Sequence, residues 1–390
     1  MIKTYKYRLY PTKKQTQKLE WTLDKCRILY NSCLLDRQNH YKETGKGISR
    51  ISQQVILKND KNKFDFLNDI HSQVLQDILF RVDKAFQNFF RRIKSGEKAG
   101  YPRFKSEGRY DSITYPQYEN GCEITSQGLK LSKIGTIKIK LHRQPDGDIK
   151  TCIIKREIDK WYACFSVEYE PVKKPIPDKS IGIDVGIKSF AVLSDKTVID
   201  NPKYLRKSEK KLISKQRQLS AKKKGSSNRK KARIKVAKLH CKVRNQRSDF
   251  HHKTSRKIID TCGFIAVEDL NIKGMVRNHN LAKSISDAGW GQFLNYLTYK
   301  AEDAGCKIEK VAPHHTSVRC SRCGNPVPKT LADRIHICPF CNAILDRDHN
   351  AAINILNKST AGTAGSNAWG EAVFQSPSLN QEALIQSLIG

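Results

Sequence analysis

Two sets of side chains carry types and spacings that could do chemistry. Cys320 and Cys323 form one CxxC turn and Cys338 and Cys341 a second, and each turn aims two thiolates at one spot. Four soft sulfur donors are the closed tetrahedral set of structural zinc, so one Zn²⁺ that builds structure and leaves no open position for chemistry is expected. Disulfides are the alternative, disfavoured where nothing marks a secreted chain. The second set is acidic. In GIDVGIKSFAVLSD, Asp184 interrupts an apolar strand between Gly182 and Gly186; in CGFIAVEDL, Glu268 ends another strand; in DRDHNAAINIL, Asp346 and Asp348 stand where a helix opens. A carboxylate in a buried strand is costly unless a charge compensates it, and one shared cation would account for all three places. The flanking glycines would clear room for that metal or for a sugar-phosphate backbone. An Asp that closes a strand to cap a turn is the bland alternative.

Hard carboxylate oxygens suit Mg²⁺, with Mn²⁺ as a substitute, and a pair of such ions is suited to phosphodiester hydrolysis. Asp346 and Asp348 are two apart and share a face of an extended segment. Asp348 is favoured because it adjoins the helix start, whose N–H groups fix its orientation. No GxxxxGK[ST] run suggests a nucleotide triphosphatase, and no Ser-His-Asp grouping is evident.

The composition points the same way. In 390 residues, 72 Lys and Arg face 38 Asp and Glu, a formal charge of +34 that a polyanion would neutralise, and nucleic acid is the obvious one. No apolar run approaches the ~20 residues of a spanning helix, so no membrane partner is expected. MIKTYKYRLY lacks the apolar stretch of a signal peptide, so a reducing prokaryotic cytoplasm, in association with the nucleoid, is the expected location. The cysteines outside the CxxC turns are then free, small and packed.

These residues need a scaffold. Residues 2–9 alternate as a half-buried strand ending at Pro11. From Thr12 to about Lys94, apolar residues recur at three and four, as in a helical bundle. Its later helix carries polar Ser72, Gln73 and Gln76, which either meet nucleic acid or form a solvated face. GYPRFKSEG then joins Arg103, Phe104 and Lys105, a combination able to stack on a base while touching phosphate. TIKIKL and TCIIKREIDKWYACFSVEYE add strands for a small antiparallel sheet or barrel that the first strand completes, leaving the bundle as an insertion. PVKKPIPDK is a linker. Residues 205–257 hold roughly twenty cations around two narrow apolar seams, read as helices folded back at GSSN, or else as a disordered basic arm. WGQFLNYLTYKAEDAG is an amphipathic helix stopped by Gly305. The tail 359–390 has no Lys or Arg and is expected to be largely disordered.

The order of KYRLYPTKKQ, GYPRFKS, GIDVGIKSFAVLSD, VEDLNIKGM, WGQF…YKAEDAG, TSVRCSRCG, CPFC and DRDHNAAINIL resembles the TnpB family up to about residue 357. These are transposon-encoded RNA-guided nucleases related to the type V CRISPR effectors. One departure is Val318, where relatives often have a polar residue such as Gln. The resemblance implies a multidomain α/β chain. A RuvC/RNase H-like C-terminal nuclease domain (181–314 and 346–358) would hold an inserted zinc ribbon (315–345) that binds target nucleic acid. An N-terminal wedge-like β-barrel (1–11 and 96–172) would hold an inserted helical recognition lobe (12–95), with a linker at 173–180. It assigns catalysis and Mg²⁺ ligation to Asp184, Glu268 and Asp348. It implies a guide RNA from the transposon end and cleavage of double-stranded DNA beside a short flanking motif, by a protein that is monomeric in its RNA complex. The competing readings are a guided DNA-binding repressor without nuclease activity and a transposase acting on DNA ends.

Overall fold

A computed structural model describes residues 1–171, 175–330 and 333–364, with side chains to residue 360. The chain divides into two compact units, Met1–Glu170 and Pro171–Gly390. No helix among the described residues is long and apolar enough to cross a membrane.

In the first unit, β1 (Ile2–Tyr10) stops at Pro11, which has no N–H to continue a ladder. Thr12 opens α1 (Lys13–Thr44) with a capping box: its hydroxyl accepts from Gln15 N, and its own N–H donates to Gln15 Oε1. Gly45, at φ 67°, ends the helix in the left-handed region. α2 (Arg50–Lys63) and α3 (Ser72–Lys94) follow. Leu19, Leu23 and Cys26 of α1 and Val74, Leu75 and Ile78 of α3 belong to one buried cluster, as the helical spacing requires.

Six further strands complete this unit: β2 (Ser112–Tyr115), β3 (Cys122–Thr125), β4 (Gly128–Leu131), β5 (Gly135–Lys140), β6 (Asp148–Glu157) and β7 (Lys160–Glu168). With β1 they form one antiparallel sheet, order β2-β6-β7-β1-β5-β4-β3, curled almost into a closed barrel. β1 is central in this sheet, and the helices α1–α3 lie in the chain between it and β2. β2, β3 and β4 have four residues each, too few for alternation to reveal them in the sequence.

The second unit is built on β8 (Ser180–Val185), β9 (Ser189–Leu193), β10 (Val198–Asp200), β11 (Phe264–Glu268) and β12 (Lys307–Val311). Their order is β10-β9-β8-β11-β12; β8, β11 and β12 run parallel, and β9 pairs antiparallel with both β8 and β10. Between β10 and β11, α4 (Tyr204–Ser220) and α5 (Ser227–Ile259) form the folded-back basic pair; Ser226 caps α5. Between β11 and β12 lie α6 (Ile272–Met275), α7 (His279–Ala288) and α8 (Trp290–Ala304). After β12 come β13 (Ile335–Ile337), β14 (Ile344–Asp346) and α9 (Arg347–Ala364). Ile181, Ile183, Ile265 and Val267 pack with residues of α5 and α8 on one face of the sheet, while Ala266 packs with Ile355 of α9 on the other.

Two expectations change. α9 continues past residue 358 to Ala364, and Ser359, expected in the tail, is buried with its hydroxyl donating to Leu356 O. The rest of 359–390 lies outside the described residues. The glycines beside Asp184 also serve a different purpose from the one expected. A Cβ on Gly182 would stand 2.1 Å from Ala352 O and 2.9 Å from Leu356 N, so this glycine lets the backbone of α9 lie on β8. At Gly186 the obstacle would be Ser189 O at 2.9 Å, across the β8–β9 turn. Gly182 thus serves packing and clears no space for a ligand, whereas Gly186 also borders the cleft that Asp184 lines. Gly182→Ala should therefore cost about 3 kcal/mol through overpacking against backbone that cannot step aside, read as a lower urea midpoint for the second unit.

Candidate nuclease site

The sheet register brings the acids together. β8 and β11 are parallel with Ile183 opposite Val267, so Asp184 and Glu268, one residue further on, stand at neighbouring strand ends about 4.8 Å apart in the pairing direction. Ile183 and Val267 point to the α5/α8 face, so alternation turns Asp184 and Glu268 to the face that α9 covers. α9 begins there, with Asp348 in its first turn. Asp184, Glu268 and Asp348 all line one cleft of about 1110 Å³.

The surroundings make the cluster expensive without a cation. Burial, followed by the charges of Glu268 and Asp348, holds the Asp184 carboxyl well above the usual carboxylate range, and Arg347 offsets only part of this. Burial also raises Glu268, against the pull of the Thr316 hydroxyl and Lys358. Arg347 Nε lies 3.3 Å from Asp348 Oδ1. Carboxylate oxygens with surplus negative charge are the donor type a hard divalent cation takes, although among the described residues only the four cysteines are gathered closely enough to hold a metal ion as they stand.

The reason expected for favouring Asp348 is corrected: the helix-start N–H groups hold the carboxylate of Asp346, while Asp348 pairs with Arg347. Asp346 Oδ1 accepts from the N–H groups of Asp348 (2.9 Å) and His349 (3.1 Å), so this exposed carboxylate caps α9. Asn caps as well as Asp does. Asp346→Asn should therefore leave cleavage within a few-fold of wild type, whereas Asp346→Ala should lower helix stability by about 1 kcal/mol.

Cations face the acids in the same cleft, among them Lys203, Arg206, Lys329 and Arg347. Asp287 fixes the start of α4: its carboxylate accepts from Leu205 N (2.9 Å) and Arg206 N (3.2 Å) and pairs with Arg247 of α5. Trp290 also lines the cleft, 3% exposed, and its indole N–H has no partner among the described residues. Sequence reasoning missed these groups, because each gains its role from residues distant along the chain.

The cysteines meet as the CxxC spacing requires. Their four Sγ atoms lie within 4.8 Å of one another, with Cys320–Cys341 at 3.7 Å and Cys323–Cys338 at 3.5 Å. A tetrahedral ZnS₄ centre with bonds of about 2.3 Å separates its sulfurs by about 3.8 Å, so the cluster could hold zinc. The other eight cysteines are free, six of them buried.

The remaining candidates lie in the first unit, in two places. Ser72, Gln73 and Gln76 occupy the start of α3; Ser72 and Gln76 are exposed, while Gln73 donates to Gln117 Oε1. The GYPRFKS loop instead packs Tyr101 on Phe86 and Phe89, in the later half of α3. Lys105 is pinned to α1 by both backbone groups, which bond Asn31 at 2.8 and 3.0 Å; Arg103 and Phe104 are exposed.

Comparison with known proteins places these features in context. Residues 164–279 match a family described as OrfB of IS605, "Probable transposase", and residues 290–355 match the Cas12f1-like TNB domain. Residues 1–46 match a helix-turn-helix family, although here they form one strand and one long helix. The chain is 31% identical over 404 residues to the Escherichia coli K12 protein named "Putative RNA-guided DNA endonuclease InsQ", covering 98% of this chain and 97% of that protein. A Streptomyces pristinaespiralis protein with the same description, without the InsQ name, is 33% identical over 371 residues, covering 93% and 90%. The fold is similar to that of a solved mini-RNA-guided endonuclease, CRISPR-Cas phi3, with a TM-score of 0.51 at 10% identity and 93% of each chain covered.

Proposed function

The chain belongs to the TnpB family of RNA-guided DNA endonucleases, and from this premise we propose a RuvC-type active site at Asp184, Glu268 and Asp348, dependent on Mg²⁺ or Mn²⁺. The observation that carries the proposal is that three carboxylates, from two parallel strand ends and a helix start, line one cleft together with cations. The strand order supports it. Numbered within its own sheet, the second unit reads 3-2-1-4-5 with the first three strands antiparallel, the arrangement of an RNase H-type core.

When bound there, divalent cations supply the charge that activates water and stabilises the leaving oxygen of a phosphodiester. The protein's own contribution is placement. The two strands fix Asp184 and Glu268, Asp346 fixes the helix that carries Asp348, and Lys203 and Arg206 offer phosphate contacts. The Cys320, Cys323, Cys338 and Cys341 cluster holds one structural Zn²⁺ in a ribbon that guides target strand to the cleft. In the first unit, the β-sheet acts as wedge and the helices as recognition lobe, with Ser72, Gln73, Gln76, Arg103, Phe104 and Lys105 as nucleic-acid contacts. The partners are a guide RNA from the transposon end and double-stranded DNA beside a short flanking motif, engaged by a monomer. Guide pairing then carries the sequence specificity, and the cationic protein need read only the flanking motif.

The test is to purify the protein from cells with its native transposon flanks and sequence the accompanying RNA. That RNA, retargeted to plasmids with randomised flanks, should direct Mg²⁺-dependent double-strand breaks that EDTA and Asp184→Ala abolish. Guided binding without cutting would make this a repressor, and strand-transfer products a transposase. The absence of copurifying RNA would remove the guided reading.

A further inference from the structure

The acid cluster and the cysteine cluster share a piece of chain. Thr316 lies in the turn leading to Cys320, only 5% exposed, and its hydroxyl donates to Glu268 Oε1. Pro313 O lies 3.3 Å from the same hydroxyl, which has one proton to give, and the carboxylate is the nearer and stronger acceptor. The backbone of this turn is gripped by α9. Asn354 Nδ2 donates to Thr316 O (2.8 Å) and to Arg319 O (2.7 Å). One helical turn earlier, fully buried Asn350 donates to Arg319 O at 2.8 Å and accepts from Ser321 N at 2.9 Å. One turn later, Lys358 Nζ closes the row on Ala312 O (2.8 Å) and His314 O (3.1 Å). The helix that carries Asp348 thus holds the first cysteine turn along its length, and Thr316 passes that placement on to Glu268.

We propose that Thr316 is the positioning residue for Glu268 and that Asn350 and Asn354 set Thr316 in place, which makes the first cysteine turn part of the frame of the acid cluster. The inference rests on the nuclease reading above. Glu268 is the last residue of its strand and has a long side chain, so the sheet fixes its Cα but not its carboxylate. A bond to Oε1 orders that carboxylate while leaving Oε2 as a donor for a cation. Ligating carboxylates are commonly held by such outer partners, whose loss typically weakens metal affinity or activity by about 10–100-fold. A merely structural Thr316, closing its turn through Pro313 O, would affect stability without affecting cation affinity.

The experiment uses the full-length zinc-loaded chain without nucleic acid and Mn²⁺ as probe, read by electron paramagnetic resonance of the free ion. Asp184→Asn defines the background. Thr316→Val keeps the shape and removes the hydroxyl; it should weaken Mn²⁺ binding by about 10–100-fold, with zinc content unchanged, and Thr316→Ser should restore affinity to within about threefold. Wild-type Mn²⁺ affinity in Thr316→Val would overturn the proposal. Loss of zinc along with Mn²⁺ in that variant, or failure of Ser to restore affinity, would assign the effect to the fold of the turn and overturn it equally. Failure of the nuclease reading would show separately, as wild-type Mn²⁺ binding that Asp184→Asn does not diminish, and would take this inference with it.

Discussion

Asp184→Asn should abolish guided cleavage and at the same time stabilise the metal-free protein. The loss of cleavage follows from removing a central ligand of the proposed cation site. Metal-based charge stabilisation contributes several kcal/mol to phosphodiester hydrolysis, so a fall of at least about a thousandfold is expected. Guided DNA binding should be unchanged, because base pairing and cationic channels supply it. The gain in stability follows from electrostatics. Burial and the charges of Glu268 and Asp348 raise the Asp184 carboxyl well above its ordinary 3.8, so the folded chain binds this proton more tightly than the unfolded chain does. Such a group withdraws stability as pH rises through its raised value, and the penalty disappears below about 3.8, where both states are protonated. In EDTA at pH 7, Asp184→Asn should therefore be more stable than wild type. The difference should shrink as pH falls toward 3.8, and Mg²⁺ should reverse it by binding only the wild type. Equal stability across this range, or cleavage retained in the variant, would remove Asp184 from the site.

Much of this geometry was legible in the sequence because alternation and CxxC spacing are local. The acids on β8 and β11 announced themselves as charges in apolar runs, and the basic pair α4 and α5 as two seams around GSSN. What stayed hidden depends on partners far along the chain. Gly182 could be recognised as unusual, but not as the place where Ala352 would lie, 170 residues later. DRD offered two acids, with Asp348 favoured for adjoining the helix start, and only the bonds from Asp348 N and His349 N identify Asp346 as the cap. Asn350 and Asn354, four residues apart in a helix-like segment, were the available hint of a buried polar grip. Their meaning required knowing that the cysteine turn lies against α9.

Cys338→Ser should unfold the ribbon and silence the nuclease while leaving the five-stranded sheet intact. A fold this small needs either an apolar core or a metal, and among the described residues this one has little core. Its buried cluster is Cys320, Val327, Cys338 and Ala343, two of which are zinc ligands under the proposed reading. Its larger apolar residues face outward instead: Ile335 is 59% exposed, Ile337 60%, Phe340 63% and Ile344 68%. Hydrophobic burial therefore cannot hold β13 against β14 once the sulfurs lose their common partner. Structural zinc contributes about 10–16 kcal/mol of apparent binding energy in small fingers, more than this core could replace. The effect should reach the acids by two routes. Arg347 N and Nη1 bond Arg334 O (2.8 Å) and Asp333 O (3.1 Å) of the ribbon, so the helix start that carries Asp348 loses its anchor; the Asn350 and Asn354 grip on the cysteine turn slackens with it. Hydrogen exchange should show protection lost over β13 and β14 and retained over β8 and β11, with zinc content falling from one per chain to none and cleavage lost in parallel. A zinc-free ribbon with full protection would mean that packing alone sustains it, and the coupling between the two clusters would have no physical basis.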